Sequence, residues 1–234
     1  MFSFRSAPPT PAPCGCTDHD AFPYKDEWTF DVDKNSLFAT QFGHVIPGDK
    51  LDEESEEDFH RRIGGAVGKM VKVKADAHSF QVLAPWTPVD GSDGQPGVGA
   101  KRTFQWVYKL QVRSVAGVKL PIPEESRMLM EWEVLKNDEG AISIVALSKQ
   151  LDIPYGDTFI THVRLCFSDD AAATAGGSEG SKVTVLMKVD FAKSGFLNFV
   201  TEKITLSETP PLWKEIEAAM RADLANANAN EQAA

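Results

Sequence analysis

The sequence has few cysteines, no long apolar run and no excess of positive charge. Three cysteines are an odd number, which argues against a disulfide framework and favours a reducing compartment. The longest apolar stretch, around Ala141 to Leu147, is far too short to span a bilayer. A formal charge of −10 at pH 7 argues against general nucleic-acid binding, because such a protein presents a basic field to phosphate. We expect a cytoplasmic protein without a membrane span or a nucleic-acid partner.

Motifs for catalysis are incomplete. Gly176-Gly177-Ser178-Glu179-Gly180 has the G-x-S-x-G spelling of a hydrolase elbow, but alanines precede it and a strand pattern follows it, whereas an elbow needs a strand and then a helix. Gly64 to Lys69 is one residue short of a phosphate loop, and Met70 replaces its Ser or Thr. The spacing gives no Ser/His/Asp or Cys/His set. We expect no enzymatic activity and no cofactor.

Residue types that bind metals occur together only near the N-terminus. Cys14-Gly15-Cys16, with Asp18 and His19, offers two thiols, a carboxylate and an imidazole. The other histidines have no ligand spacing, and the sequence shows no distant second half of a site. The sequence analysis therefore predicts no metal site.

Composition divides the chain into one domain and two tails. Residues 1–24 are rich in Pro, Ser and Thr and are predicted to form a flexible tail. The low-complexity end, residues 226–234, is predicted to be disordered. The remaining residues, 25–225, are sufficient for one domain that folds without disulfides. We expect this domain to be monomeric.

The middle of the sequence predicts an antiparallel sheet. From Arg102 onward, apolar and polar residues alternate with a period of two, as in strands that bury one face. Short turns between the runs favour a meander. Five such runs are Phe104 to Val112, Met128 to Val134, Ile142 to Leu147, Phe159 to Phe167 and Val183 to Phe191.

The end of the sequence predicts two helices or one sharply broken helix. Ser194 is a candidate N-cap for the first segment, and Leu212 to Leu224 has apolar residues spaced for one helix face. Pro210 and Pro211 separate the segments because proline is not tolerated inside a helix. The fold class is therefore α+β, a curved antiparallel sheet closed by C-terminal helices, which could enclose a cavity.

The predicted buried face is rich in aromatic side chains and has two interpretations. Most inward faces of this kind are ordinary core, but a concave aromatic face also suits a lipid pocket. Between Asp93 and Glu124 every charged residue is basic, around the apolar loop Val115 to Pro123. That loop either packs on its own domain or enters a membrane interface, where anionic lipids attract each lysine by about 1 kcal/mol. Composition leaves both interpretations open.

Several blocks resemble a known family. The block Asp152-Ile153-Pro154-Tyr155-Gly156-Asp157-Thr158-Phe159, followed by Val163-Arg164-Leu165-Cys166, strongly resembles the signature of the VASt domain. This StART-like, helix-grip family includes the Lam and Aster sterol transporters. Supporting similarities are Trp86, Lys101-Arg102-Thr103-Phe104, Leu120-Pro121-Ile122-Pro123, Phe191-Ala192-Lys193 and Val200-Thr201-Glu202-Lys203.

The resemblance implies binding of a sterol or similar lipid between sheet and helix, its transfer between membranes, and no covalent chemistry. Peripheral contact with anionic membranes is expected. The expected lipid-binding residues are Phe104, Trp106, Tyr108, Trp132, Tyr155, Phe159, Phe191 and Phe199. The expected lid residues are Gly117, Val118, Leu120, Pro121 and Ile122. The expected membrane-docking residues are Lys101, Arg102, Lys109 and Lys119.

The sequence leaves three alternatives open. The first is a lipid-regulated protein-interaction module that binds a ligand without transferring it. The second is an enzyme on the same scaffold, which would need an acid/base pair inside the pocket. The third is a filled core with no cavity.

Overall fold

The structure is a computed structural model of the chain that describes residues 16, 18–43, 66, 78–84, 86–87, 96–109, 114–115, 118–119, 123–170, 180–193 and 195–233. Its strands are β1 (Tyr24–Phe30), β2 (His78–Ala84), β3 (Lys101–Lys109), β4 (Ser114–Val115), β5 (Val118–Lys119), β6 (Glu125–Asn137), β7 (Ala141–Gln150), β8 (Phe159–Asp169) and β9 (Ser181–Phe191). Its helices are α1 (Lys34–Gln41) and α2 (Phe196–Ala233).

Seven strands form one antiparallel sheet in the order β1-β9-β8-β7-β6-β3-β2. The two shortest strands, β4 and β5, form a separate hairpin between β3 and β6. The five alternating runs of the sequence correspond to β3, β6, β7, β8 and β9. A curved antiparallel sheet with a C-terminal helix confirms the predicted fold class. The two outermost strands, β1 and β2, were not predicted.

The alternation of residues determines which face of the sheet is buried. In β6, even-numbered residues from Ser126 to Val134 are buried, and the residues between them are at least partly exposed. The buried side chains join those of β1, β3, β7, β8 and β9 in one core cluster. We call this side of the sheet the inner face.

Helix α1 covers part of the inner face. Asp33 is its N-cap, and its carboxylate accepts hydrogen bonds from the backbone N–H groups of Asn35 and Ser36, at 2.9 and 3.0 Å. The helix packs on β7, β8 and β9. The Phe38 ring meets the ring of Phe167 edge-on at 5.7 Å. Sequence analysis did not predict this helix.

Helix α2 is continuous, so the predicted break at Pro210 and Pro211 is wrong. Both prolines lie inside the helix, where they remove two N–H donors. The helix continues because apolar residues on both sides, such as Leu206 and Trp213, pack against the same core cluster. Tertiary packing therefore overrides the local cost of the prolines.

The same helix extends through most of residues 226–234, which the sequence assigns to a disordered tail. This segment is rich in alanine, the strongest helix former, so its low complexity does not prevent a helix. Neither α1 nor the described part of α2 has a stretch both long and apolar enough to cross a membrane.

Part of the predicted tail 1–24 lies against the outer face of the sheet. Residues His19–Ala21 form a 3-10 turn, and Phe22 is buried. The guanidinium of Arg164 and the ammonium of Lys188 lie over the Phe22 ring, at 5.2 and 5.4 Å from its centroid. The described residues of this segment therefore belong to the folded domain.

Candidate functional site

The two ends of the inner face differ in how tightly they are packed. At one end β3 and β7 finish and β6 and β8 begin, and we call this the loop end. The opposite end is the far end. The position of a side chain along its strand therefore decides whether it belongs to the packed core or to a candidate ligand site.

The far end is filled core, beginning at Phe104, which pairs with Met130 at the boundary between the two ends. Phe104 and Trp132, both predicted to bind lipid, retain 1% or less of their accessible surface. Their rings meet edge-on at 6.4 Å, and Phe42, just after α1, packs on Trp132 at 5.5 Å. A residue beside a void that admits water would keep accessible surface. Phe104 and Trp132 therefore do not line a cavity in this structure, and their lipid-binding assignment is not supported.

The loop end retains small accessible areas. Five inner-face side chains there are between 3% and 9% exposed, whereas many far-end residues are at 0% or 1%. Phe159 and Val189 also lie outside the contiguous core cluster that the described residues form. We call this set the loop-end residues: Trp106, Met128, Met130, Phe159 and Val189.

Only two of the loop-end residues were among the predicted lipid-binding residues, Trp106 and Phe159. Sequence analysis placed Met128 and Met130 on the buried face but gave them no role. Methionine fills irregular apolar space because its side chain is unbranched and polarizable. The alternation of β6 identified their direction, but no sequence pattern showed that they lie where packing loosens.

The other predicted lipid-binding residues occupy different positions. Phe191 is half-buried, and its ring lies 6.1 Å from that of Phe159 at the loop end. The side chain of Tyr108 lies outside the described residues. Tyr155 and Phe199 are 65% and 70% exposed, so they do not line an enclosed pocket in this structure, and their lipid-binding assignment stays a prediction.

Tyr155 is exposed because of its backbone conformation. It has a left-handed φ of 65°, and a 3-10 turn over Gly156–Thr158 follows it. Gly156, the next residue, is not among the described residues with a positive φ. Glycine is instead required for close approach, because a Cβ on Gly156 would lie 2.2 Å from the carbonyl oxygen of Gln150.

Helix α2 is also packed unevenly. Its second half buries Trp213, Ile216 and Met220 in the core, where Trp213 lies 6.3 Å from the ring of Trp28. In its first half, between residues 198 and 212, no described side chain is fully buried. The first half begins beside the end of β9, so it lies at the loop end and is only partly packed.

Arg102 is a buried cation. Its exposed fraction is 2%, and its guanidinium carbon lies 4.4 Å from the ring centroid of Phe104 and 5.4 Å from that of Trp86. Burial lowers the pKa of Arg102 to about 9. A side chain enclosed in this way does not reach a lipid headgroup in this structure, so the structure does not support the docking assignment of Arg102.

The remaining docking residues do not form one patch. Lys101 is exposed, but its ammonium is neutralised by Glu131 and Glu133 at 3.3 and 3.0 Å. Lys109 is exposed at the loop end, about 26 Å away along β3 at 3.3 Å per residue. The side chains of Lys119 and Val118, and the lid residues Gly117, Leu120, Pro121 and Ile122, lie outside the described residues.

Three exposed apolar side chains lie at the loop end. Leu151 follows β7, Tyr155 precedes β8, and Phe199 lies in the first turn of α2. A groove of about 250 Å³ includes the first of these, Leu151, and is also lined by Ile153, Gly156 and Ile160, together with polar neighbours. It is smaller than the pockets of about 300–1,000 Å³ that usually hold small molecules.

A possible metal-binding group lies on the opposite, outer face of the sheet. It consists of Cys16, His19 and Cys166, whose ligand atoms lie within 4.8 Å of one another. Sequence analysis considered the first two residues and rejected a metal site because no distant partner was visible. Strand β8 supplies that partner.

Comparisons with known proteins give one family match. The family model for the VAD1 Analog of StAR-related lipid transfer domain, VASt, matches residues 67–208. No curated protein matches the chain. The matched region contains the loop-end residues and residues 196–208 of α2.

Solved structures match the chain only at low sequence identity and low TM-score. Norcoclaurine synthase from Thalictrum flavum, in complex with dopamine and hydroxybenzaldehyde, is 10% identical, with a TM-score of 0.41 over 97% of this chain and 95% of that chain. Ara h 8.0201 is 12% identical, with a TM-score of 0.38 over 85% and 97%. The protein Mll3558 from Rhizobium loti is 12% identical, with a TM-score of 0.34 over 84% and 94%. These likenesses carry no argument about function.

Proposed function

The chain belongs to the VASt family, and from this premise we propose that it binds a lipid, most simply a sterol, at the loop end and transfers it between membranes. Family membership supports a lipid- or ligand-binding domain. The observation that carries the more specific proposal is the contrast within the inner face. The far end is closed core, whereas the apolar loop end, where the loosely packed first half of α2 begins, retains accessible surface.

The chemistry of the loop end suits an apolar ligand with one polar group. The loop-end residues are apolar, and two of them are methionines that repack around ligands of irregular shape. Ser126 and Ser148, which are buried on the same face at this end, carry hydroxyl groups. The Ser126 hydroxyl donates a 3.3 Å hydrogen bond to the carbonyl oxygen of Arg127. Either hydroxyl would serve a sterol hydroxyl as partner.

The energetics suit a carrier that uses no ATP. Enclosing about 500 Å² of apolar lipid surface is worth roughly 12 kcal/mol gross, at about 25 cal/mol/Å². Lost ligand freedom and side-chain ordering offset much of this. Because a bilayer is as apolar as the protein interior, the net difference between membrane and protein is small. Loading and unloading then both proceed, at a rate set by opening of the loop end.

The exposed apolar residues at the same end supply a membrane contact. Leu151, Tyr155 and Phe199 are exposed in segments at the loop end, and exposed apolar side chains of this kind insert into an interface. We propose a peripheral contact at cytoplasmic membranes through these residues, in place of the contact through Lys101 and Arg102 that sequence analysis suggested.

We further propose that the domain acts as a monomer and without catalysis. The loop-end residues carry no ionisable group, and the described bond of the Ser126 hydroxyl is to a backbone carbonyl. An acid/base pair is needed for general acid–base catalysis. Support for the alternative of a catalytic pocket would require such a pair among the side chains that contact the ligand.

Extraction of a fluorescent sterol from liposomes tests the proposal. The full chain should remove sterol from donor vesicles in a saturable manner and deliver it to acceptor vesicles. Saturable binding without delivery would instead favour a lipid-regulated interaction module. Failure to extract sterol or any other lipid, together with no lipid co-purifying in mass spectrometry, would reject lipid binding.

A further inference from the structure

Two thiols and one imidazole meet on the outer face of the sheet, on the side opposite the proposed lipid site. Cys166 lies in β8 between the core residues Leu165 and Phe167 and points away from them, into a small cluster with Ala141 and Cys16. Its sulfur lies 3.8 Å from that of Cys16. The same sulfur lies 3.6 Å from Nε2 of His19.

These two separations match the edges of a zinc coordination tetrahedron, and the third, between Cys16 and His19, is within 4.8 Å. Zinc binds thiolate sulfur at about 2.3 Å and imidazole nitrogen at about 2.0–2.1 Å in tetrahedral geometry. Two sulfurs on one zinc ion are then about 3.8 Å apart, and a sulfur and a nitrogen about 3.6 Å apart. We propose that Cys16, His19 and Cys166 bind a zinc ion, which fixes the N-terminal segment to β8.

The donor set favours zinc over a hard cation and over a disulfide. Thiolates select zinc or other thiophilic ions over magnesium and calcium, which prefer oxygen ligands. A disulfide between Cys16 and Cys166 needs a sulfur–sulfur distance near 2.05 Å and makes no use of an imidazole. Here the distance from Nε2 of His19 to Sγ of Cys166, 3.6 Å, is the one expected for two ligands of the same zinc ion.

The N-terminal segment is also positioned by contacts that do not involve the cluster. Asp18, next to His19, forms an ion pair with Arg164 on β8, two residues before Cys166. The ring of Phe22 lies against Arg164 from the same side. These contacts hold the two halves of the site together before metal binds, and preorganisation of this kind strengthens binding.

The proposal is tested on the full chain after removal of metal by a chelator under reducing conditions. We expect the reduced protein to bind one equivalent of Zn²⁺ and to give thiolate-to-cobalt absorption with Co²⁺. C16S, H19Q and C166S should each weaken Zn²⁺ binding by more than about 100-fold, above the loss typical of changes to residues that only orient a metal ligand. His162, four residues from Cys166 on β8, provides the matched control, and H162Q should bind Zn²⁺ like the original protein.

Because Cys166 is buried, a folding defect of C166S must be separated from loss of a ligand. H19Q alters a partly exposed turn, so its far-ultraviolet circular dichroism should be unchanged while the cobalt absorption is lost. Zn²⁺ should also raise the melting temperature of the original protein and not that of H19Q.

Three results would overturn the proposal. The first is no stoichiometric binding of Zn²⁺ by the reduced protein. The second is unchanged affinity in C16S or H19Q. The third is a Cys16–Cys166 disulfide in protein whose thiols were blocked at cell lysis, as identified by mass spectrometry.

Discussion

The guanidinium of Arg102 donates a hydrogen bond to the backbone carbonyl oxygen of Phe42, with Nη1 and the oxygen 3.2 Å apart. Nε1 of Trp86 donates to the same oxygen at 3.0 Å. The contact joins the start of β3 to the end of α1 and closes the far end of the inner face. Among the described residues no carboxylate pairs with Arg102, and its Nη2 has no hydrogen-bond partner. The charge is therefore held by one carbonyl and two aromatic faces.

This burial predicts an unusual dependence of stability on pH. Burial lowers the pKa of Arg102 to about 9 in the folded state, well below its ordinary value, so between these two values the unfolded state binds more protons. The free energy of unfolding should then rise with pH above 9, by up to about 1.4 kcal/mol per pH unit from this group. Below pH 9 both states are protonated, and the contribution is constant and unfavourable.

Urea unfolding of the original protein and of R102M, from pH 8 to 10.5, measures this contribution. Other groups titrate equally in both proteins, so the difference in unfolding free energy isolates Arg102. The difference in unfolding free energy should be constant below pH 9. Above pH 9 the original protein should become more stable relative to R102M. A difference that does not vary with pH would contradict the buried, uncompensated cation.

The sheet could be predicted from the sequence because the alternation of apolar and polar residues along a strand is a local property. Strands β3 and β6 show a period of two within a few residues and burial follows that period, whereas β7 buries six consecutive residues from Ala141 to Ala146. The helix-grip arrangement came from the resemblance carried by the block Asp152 to Phe159, which the family match supports.

The site was harder to predict because it depends on contacts distant in sequence. Sixty residues separate Arg102 from Phe42, so no local pattern showed that Arg102 is buried and unable to dock. Phe104 and Trp132 are packed as core because of contacts with Phe42 and α1, which are also distant in sequence. Cys166 lies 147 residues after His19, so the metal-ligand group could not be seen in the sequence.

The close packing of the turn before β8 predicts that adding a methyl group at Gly156 lowers the stability of the fold. G156A should lower the free energy of unfolding by about 2 kcal/mol or more, because its Cβ would lie 2.2 Å from the backbone oxygen of Gln150, which cannot move without shifting β7. G195A is the matched control, since the nearest atom to its Cβ is a side-chain oxygen at 3.5 Å. Urea midpoints at constant m-value report the change. Equal effects of both substitutions would refute the close approach.

Filling the loop end should reduce lipid binding without unfolding the domain. M128W adds volume on the inner face where accessible surface remains, so we expect at least tenfold weaker binding of fluorescent sterol. L129W places the same side chain on the next residue of β6, toward the opposite face, and should bind normally. Both variants should change the free energy of unfolding by about 1–3 kcal/mol at most. Normal sterol binding by M128W would place the ligand elsewhere.

The exposed apolar residues predict where the domain touches a membrane. F199D should reduce liposome binding and slow sterol transfer several-fold, because a charged side chain resists entry into the interface. It should not change sterol affinity in a vesicle-free assay. L83D replaces an equally isolated apolar residue on β2 and should leave transfer unchanged. If L83D slowed transfer and F199D did not, the membrane contact would lie on another surface, and the prediction would be wrong.

The two prolines inside α2 link its stability to ligand exchange. Pro210 and Pro211 deprive the preceding turn of two hydrogen bonds, and their rings crowd the carbonyl groups four residues earlier. The double variant P210A/P211A should therefore raise the free energy of unfolding, by up to about 3 kcal/mol per proline. A stiffer α2 also restrains its loosely packed first half, so sterol release should become slower.

Glu208 provides the control for this pair, because it is exposed in the same helix and E208A changes side-chain chemistry without restoring a backbone donor. It should leave both stability and release close to those of the original protein. If P210A/P211A is instead less stable, the prolines maintain a bend that packing of Trp213 and Leu206 on the core requires. Faster release in the stabilised variant would show that the first half of α2 does not control the loop end.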